Sequence, residues 1–211
     1  MNKTCFKILP EFETERLRLR AFKETDYENY IAWHCGDIPY YMMGIHYIKA
    51  GDTEGFKRLF LKNAPRMFIT KESAIWCIAE KASDITIGKI EMCRFDAYAN
   101  TAQIHYCLSK KERAKGYMTE AIRAVLKWAF EDLDLNRIYT YVWEENDASV
   151  NVLVKLGFAL EGTLRENNAN KFTLDGNEIK NTLKDMTFIE HKLYKNERIY
   201  GLLKSEYQCV K

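Results

Sequence analysis

Two short stretches of this chain hold residue types that could do chemistry together. The first is RAKGYM, Arg113 to Met118, which follows a strand-like run and the basic loop KKERAK and leads into a helical segment. Strand, basic loop, glycine and helix in that order aim unpaired backbone N–H groups and the positive end of a helix dipole at one point, which is how a pyrophosphate is held. Gly116 lets the backbone come close to such a group. Lys110, Lys111, Arg113 and Lys115 surround it with positive charge, although a basic loop before a helix also reads as ordinary solvated surface. The second stretch is NDASVNVLVKLGF, in which Asn146 and Ser149 open a helix just after an aromatic-rich strand. Asn146 there reads equally as a plain N-cap. Taken singly, each stretch leaves both readings open.

The elements that must position these residues are visible as periodicities. RLRLRAF (Arg16 to Phe22) alternates with period two and predicts a strand, after which Tyr27, Tyr30, Ile31 and His34 fall at helical spacing. DTEGFKRLFLKNA predicts a second helix, capped at Asp52 or Thr53 and ending before Pro65. Three strand-like runs follow, SAIWCIAEK, ITIGKIEMCRF and TAQIHYCLS, joined by the turn chemistry of ASD and DAYAN, and they predict an antiparallel meander. From Gly116 to Leu133, Met118, Ile122, Val125, Ala129 and Leu133 recur at steps of three and four and predict a helix with one face on a sheet. NRIYTYVWEEN predicts a strand, and the helix after it stops at Gly157. A polar segment from Asn167 to about Thr187 reads as a loop with a short helix, before a closing hairpin that turns about Lys195 and Asn196. The expected order is β-α-α-β-β-β-α-β-α-β-β, an α+β fold with a mixed, mostly antiparallel sheet and a single domain over residues 1–211.

Composition excludes several classes. Hydrophobic residues make up 47% of the 211 and aromatics 13%, with charges dispersed, so a packed core is expected and disorder is not. A net charge of +2 without long basic runs does not point to nucleic acid. No apolar run approaches the roughly 20 residues that cross a bilayer, and no signal peptide is recognisable. The six cysteines form no C-x-x-C pair and no metal-like spacing with the histidines, which predicts free thiols in a reducing cytoplasm and no metal.

Together the two stretches resemble the GNAT superfamily of acetyl-CoA-dependent N-acetyltransferases. RAKGYM matches the family pattern (Q/R)-x-x-G-x-(G/A); TEAIRAVLKWAFEDLDLNRI follows it, and the N-x-x-S of Asn146 and Ser149 with KLGFALEG comes in register. The likeness covers about Glu13 to Tyr207 and is greatest to the RimJ/RimL branch, which acetylates protein N-termini. It implies a GNAT fold in which the polar segment at about 167–187 is an insertion. It also implies acetyl-CoA as cosubstrate, and an acceptor that is a protein or peptide N-terminal amine. A small-molecule acceptor (polyamine, amino sugar or amino acid) and a catalytically degenerate acetyl-CoA-binding module are the alternatives, and the chain would act as a monomer or homodimer.

The resemblance also assigns residues. Tyr106, Cys107 and Leu108 end a strand that splays from its neighbour and offers its backbone to pantetheine. The N–H groups of Arg113, Ala114, Lys115, Gly116, Tyr117, Met118 and Thr119 would take the pyrophosphate. Asn146 and Ser149 flank the thiol, and Ser149 protonates the departing thiolate, because Leu153 stands where many members place a tyrosine acid. For a base to deprotonate the amine, Glu91 and Glu190 are the best placed, with Glu166 third. Three departures from the pattern stand out. Met118 replaces a small residue, and either crowds the cofactor or turns into the core; the segment near 167–187 is added; and Gln103 stands where the branch often carries a glutamate. Cys107 as an acyl carrier, His105 as a substrate contact, and Trp33, Tyr40, Tyr41 and Trp76 as cleft lining are weaker expectations than half-buried or core roles.

Overall fold

The computed structural model of the protein describes residues 5–37, 48, 51–170 and 193–210. Eight strands form one sheet: β1 Phe12–Glu13, β2 Leu17–Arg20, β3 Ser73–Glu80, β4 Thr86–Asp96, β5 Thr101–Leu108, β6 Arg137–Trp143, β7 Ala159–Asn170 and β8 Leu193–Leu203. Their order across the sheet is β1-β2-β3-β4-β5-β6-β8-β7, and every neighbouring pair is antiparallel except β5 with β6. The helices are α1 Tyr27–Asp37, α2 Thr53–Phe56, α3 Ala64–Ile69, α4 Tyr117–Lys127, α5 Asp147–Lys155 and α6 Lys204–Val210. This is the expected α+β architecture with a mixed, mostly antiparallel sheet.

The parallel pair arises because α4 returns the chain from the end of β5 to the start of β6. Met118, Ala121, Ile122, Val125 and Leu126 form the buried stripe of α4, and Trp128, Ala129 and Phe130 continue it through a wider turn over Trp128–Asp132. Each large apolar side chain buried this way stabilises by roughly 1.5–3 kcal/mol relative to exposure. They meet Trp76, Ile78, Ile90, Met92, Ala102, Ile104, Ile138 and Val142 on one face of the sheet. Alternate residues of the same strands, Ile75, Cys77 and Ala79, meet Tyr27, Tyr30, Trp33, Phe56 and Phe60 on the other. The two faces are called here the α4 face and the α1 face.

Several local expectations are met. Asp52 caps α2, its Oδ1 accepting from the Gly55 N–H at 2.7 Å. The end of α5 closes with Phe158 N–H to Leu153 O and Gly157 N–H to Val154 O, both at 3.0 Å, the paired bonds of a Schellman stop. Cys5, Cys77, Cys93 and Cys107 are free thiols.

Others need correction. The first long strand is Leu17–Arg20, shorter than Arg16 to Phe22, and is preceded by the short β1. The helix expected to end before Pro65 runs on through it to Ile69. The turns over Lys57–Asn63 widen just upstream of this proline, which has no N–H to contribute to a tighter ladder. Lys195 and Asn196 do not turn a hairpin. They lie inside β8, with Lys195 opposite Asn168, so the connection from β7 is earlier and outside the described residues. Residues 167–170, placed in the polar segment by sequence, continue β7. A final helix, α6, was not foreseen. Among the described residues no helix is long and apolar enough to cross a membrane.

Candidate functional site

The basic loop is braced from below by the N-terminal hairpin. Arg16 donates from Nη1 to the Lys115 carbonyl at 3.0 Å, from Nε to Glu120 at 2.8 Å, and stacks over the Tyr117 ring at 4.5 Å. Glu120 also accepts from the Thr14 hydroxyl at 2.6 Å and the Arg16 N–H at 2.9 Å. Partial burial pushes the Glu120 carboxyl up, but these donors outweigh it and hold it below its ordinary value. Inside the loop, Arg113 donates to the Leu108 carbonyl at 3.1 Å and Lys115 pairs with Glu112 at 2.8 Å.

Gly116 is the N-cap of α4 at φ +84°, a left-handed conformation, and no side chain caps the helix there. The first bond of the ladder is Glu120 N–H to the Gly116 carbonyl at 3.1 Å, so the amides of Tyr117, Met118 and Thr119 precede it. Ala114 is also left-handed at φ +62°. Alternation of handedness makes successive N–H groups converge, a concavity suited to an anion, and the donor set fits a group carrying two phosphates. Met118 is 7% exposed and belongs to the α4-face core. Of its two expected roles, the packed one is what the geometry shows.

Beside the loop the sheet divides. β5 and β6 pair at Thr101 with Arg137, Ala102 with Ile138 and Gln103 with Tyr139, and no further. Beyond that point β5 stays on β4 as far as Leu108, while β6 stays on β8 as far as Trp143. A crevice therefore opens between Ile104–Leu108 and Thr140–Trp143, with its apex at Gln103. Near its mouth β4 and β5 approach so closely that a Cβ added at Gly88 would lie 2.5 Å from the Cys107 carbonyl oxygen.

α5 begins over the crevice. Asn146 caps it, Oδ1 accepting from the Ser149 N–H at 3.1 Å. Tyr106, on β5, crosses the gap and donates from its hydroxyl to the Ser149 carbonyl oxygen at 3.4 Å. Burial pushes the Tyr106 hydroxyl up to about 12, against the lowering effect of this bond, so it keeps its proton at neutral pH. This contact between the two motifs was missed by sequence reasoning; the only available signal was the alternation that turns Tyr106 toward the α4 face. Leu153, in the position of the absent tyrosine, is fully buried.

The α1 face of the crevice carries Gln103, His105 and Cys107 from β5, with Lys89, Glu91 and Cys93 opposite them on β4. Glu91 is 7% exposed and its Oε1 accepts from the Ser73 hydroxyl at 2.6 Å. Gln103 is 3% exposed, and its side-chain carbonyl oxygen is buried with no hydrogen-bond partner among the described residues. An oxygen left in that state costs about 1–3 kcal/mol, which calls for an explanation. Cys107 is half-buried, its thiol pushed up by burial and only partly held back by the Lys89 ammonium. His105 is exposed on the side opposite Tyr106. Trp33 and Trp76 are core residues on opposite faces, not cleft lining. Glu166 is exposed on β7. Glu190, Tyr40 and Tyr41 lie outside the described residues.

A family model for the acetyltransferase (GNAT) domain matches residues 16–159, a span that holds the loop, the crevice and the start of β7. The chain belongs to the GNAT N-acetyltransferase family. Acetyl-CoA is the cosubstrate of this family. The chain is similar to the Probable N-acetyltransferase YjcK of Bacillus subtilis, 41% identical over 87 residues that cover 41% of this chain and 48% of YjcK. It is 27% identical to the Uncharacterized N-acetyltransferase YoaA of the same organism, over 75% of this chain and 88% of YoaA. The spermidine N(1)-acetyltransferase of Escherichia coli is 27% identical over 59% of this chain and 61% of that protein. The chain thus spans about half the length of YjcK and most of YoaA. Among solved structures, the ribosomal-protein-S5-alanine acetyltransferase of Vibrio fischeri superposes with a TM-score of 0.71 at 17% identity, covering 94% of this chain and 98% of that one.

Proposed function

We propose that the protein transfers acetyl from acetyl-CoA directly to a primary amine in a ternary complex, and that this amine is the N-terminus of a protein or peptide. One observation carries the reading: β5–β6 pairing stops at Gln103, so a crevice opens beside the start of α5, while the loop before α4 offers unpaired amides and β4, on the other side of β5, carries a buried carboxylate, Glu91. In this reading the amides from Arg113 to Thr119 bind the pyrophosphate. The outer edge of β5 at Tyr106, Cys107 and Leu108 bonds the pantetheine, and Asn146 fixes the start of α5 beside the thiol end.

When bound, acetyl-CoA supplies an activated acyl carbon. The residues then divide the proton work. Glu91 accepts a proton from the ammonium, directly or through water; an amine of pKa about 8 needs only modest help. The amine nitrogen bonds to the acyl carbon as the carbon–sulfur bond breaks; Ser149 gives its hydroxyl proton to the thiolate and regains one from the nitrogen, which sheds its second proton to become the amide, in each case directly or through water. The loop and α5 lie on the α4 side of the sheet, so in this reading the amine enters from the α1 face, where Glu91 sits.

A protein N-terminus is favoured over a polyamine because a polycation needs a strongly acidic pocket, whereas the α1 face holds Lys89 two residues from Glu91. The similarity to the spermidine enzyme keeps a polyamine as the second reading. The test is direct. Acetyl-CoA at about a hundred times its dissociation constant should stabilise the fold by roughly 2.7 kcal/mol in a thermal melt. A free-thiol assay should then show turnover with peptide amines and little with spermidine. No thermal shift at millimolar cofactor would refute acetyl-CoA binding, and binding without turnover on any amine would leave a sensor module.

A further inference from the structure

Lys89 is the one lysine of the meander that is nine-tenths buried, at 9% exposure, and among the described residues no ion pair or side-chain hydrogen bond holds its ammonium. It stands on the α1 face between Cys77 of β3 and Cys107 of β5, two residues along β4 from Glu91. Its charge is felt by the Cys107 thiol, at the strand end that borders the crevice. Its stem is packed while the ammonium keeps contact with solvent at this face, where an anionic ligand can reach it. Two positions past Glu91 in the other direction, across the β4–β5 register, the Gln103 carbonyl oxygen lacks a donor. The same face thus offers, in line, an oxygen that wants an N–H, a carboxylate, and a cation that wants an anion.

We infer that Lys89 is a specificity residue, selecting acceptors that carry a carboxylate close to the reacting amine and rejecting polycations. The inference rests on the acetyl-transfer reading and narrows its acceptor. With the amine at Gln103 and Glu91, a strand spacing of about 3.3 Å per residue puts the Lys89 level some 7 Å beyond Glu91, within reach of a carboxylate in the same or the next residue. Two sources share that chemistry: an acidic residue at a peptide N-terminus, and a free amino acid.

The experiment compares isosteric pairs in the free-thiol assay. Peptides beginning with aspartate or asparagine form one arm, glycine and glycinamide the other, and spermidine is added as the polycation. The wild-type protein should prefer the carboxylate member of at least one pair by about tenfold or more in kcat/KM, and the responsive arm names the source. Lys89→Met, which keeps the aliphatic stem packed, should abolish the preference with the KM for acetyl-CoA unchanged; Lys89→Gln serves if that variant folds poorly. Equal rates within both pairs, a preference that survives Lys89→Met, spermidine outrunning every other amine, or a rise in the acetyl-CoA KM would each overturn the inference. A wild-type protein that acetyl-CoA fails to stabilise would instead overturn acetyl transfer itself.

Discussion

Trp76 and Trp33 sit on opposite faces of one sheet and have opposite polar fates. On the α4 face Trp76 is fully buried, packs edge-on against Trp128 at 5.3 Å, and donates its indole N–H to the Pro10 carbonyl at 2.7 Å. On the α1 face Trp33 is also buried, yet among the described residues its indole N–H, the Tyr27 hydroxyl and the Gln103 oxygen have no partner. The α1 face also buries charge: Lys89, Glu91, and Arg20 in a two-pronged pair with Asp26 at 2.8 and 3.0 Å. One face is optimised as a foundation. The other keeps polar groups in places where stability alone would have chosen carbon, and such departures concentrate where a protein binds and reacts.

The difference can be broken or sharpened by substitution. Trp76→Ala removes the centre of the α4-face core and should cost about 3–5 kcal/mol, read as a lowered midpoint in urea with an unchanged slope. Gly116→Ala forces a side chain into a left-handed conformation; it should cost about 1–2 kcal/mol and raise the acetyl-CoA dissociation constant by more than that strain explains, as measured by calorimetric titration. Gln103→Leu should behave in the reverse sense, leaving stability equal or higher by about 1 kcal/mol while kcat/KM for the amine falls at least tenfold. A stability loss with full activity would erase the contrast between the faces.

The smallest effect concerns acid. Asp84 is held down to about 2, first by the Lys23 ammonium and then, against some burial, by Arg20. A carboxyl with a depressed folded-state value contributes stability above its unfolded value near 4 and loses it as pH falls toward 2. Asp84→Asn should therefore lower stability at pH 7, by less than the full shift implies because the group is partly solvent-screened, and leave it unchanged near pH 2, so that the acid limb between about pH 4 and 2 flattens.

The parts of the molecule legible in sequence were those encoded locally. The period of α4, the alternation of β3, β4 and β5, the Asn146 cap and the Gly157 stop each depend on a few adjacent residues, and each is found in the fold. The misplaced parts depend on distant ones. The hairpin assigned to Lys195 and Asn196 failed because both are held in the strand: Lys195 pairs with Asn168 of β7, and the Asn196 carbonyl accepts from the Glu144 N–H just past the end of β6. Pro65 did not end its helix, since a widened ladder absorbed the missing donor. At the site, the loop and the asparagine cap could be named from motif spacing. The Tyr106–Ser149 contact, the unpartnered Gln103 oxygen and the isolated Lys89 could not, because each is defined by what lies across a register that only the folded sheet sets.

The brace beneath the loop links positions remote in sequence. Arg16 and Thr14, joined to Glu120 and Lys115, make the N-terminal hairpin a structural neighbour of the anion site. Such coupling is reciprocal: a ligand that favours the braced loop also favours the hairpin contacts, and those contacts favour the ligand by the same free energy. Backbone amides of β1 and β2 should therefore exchange with deuterium more slowly when the loop is occupied.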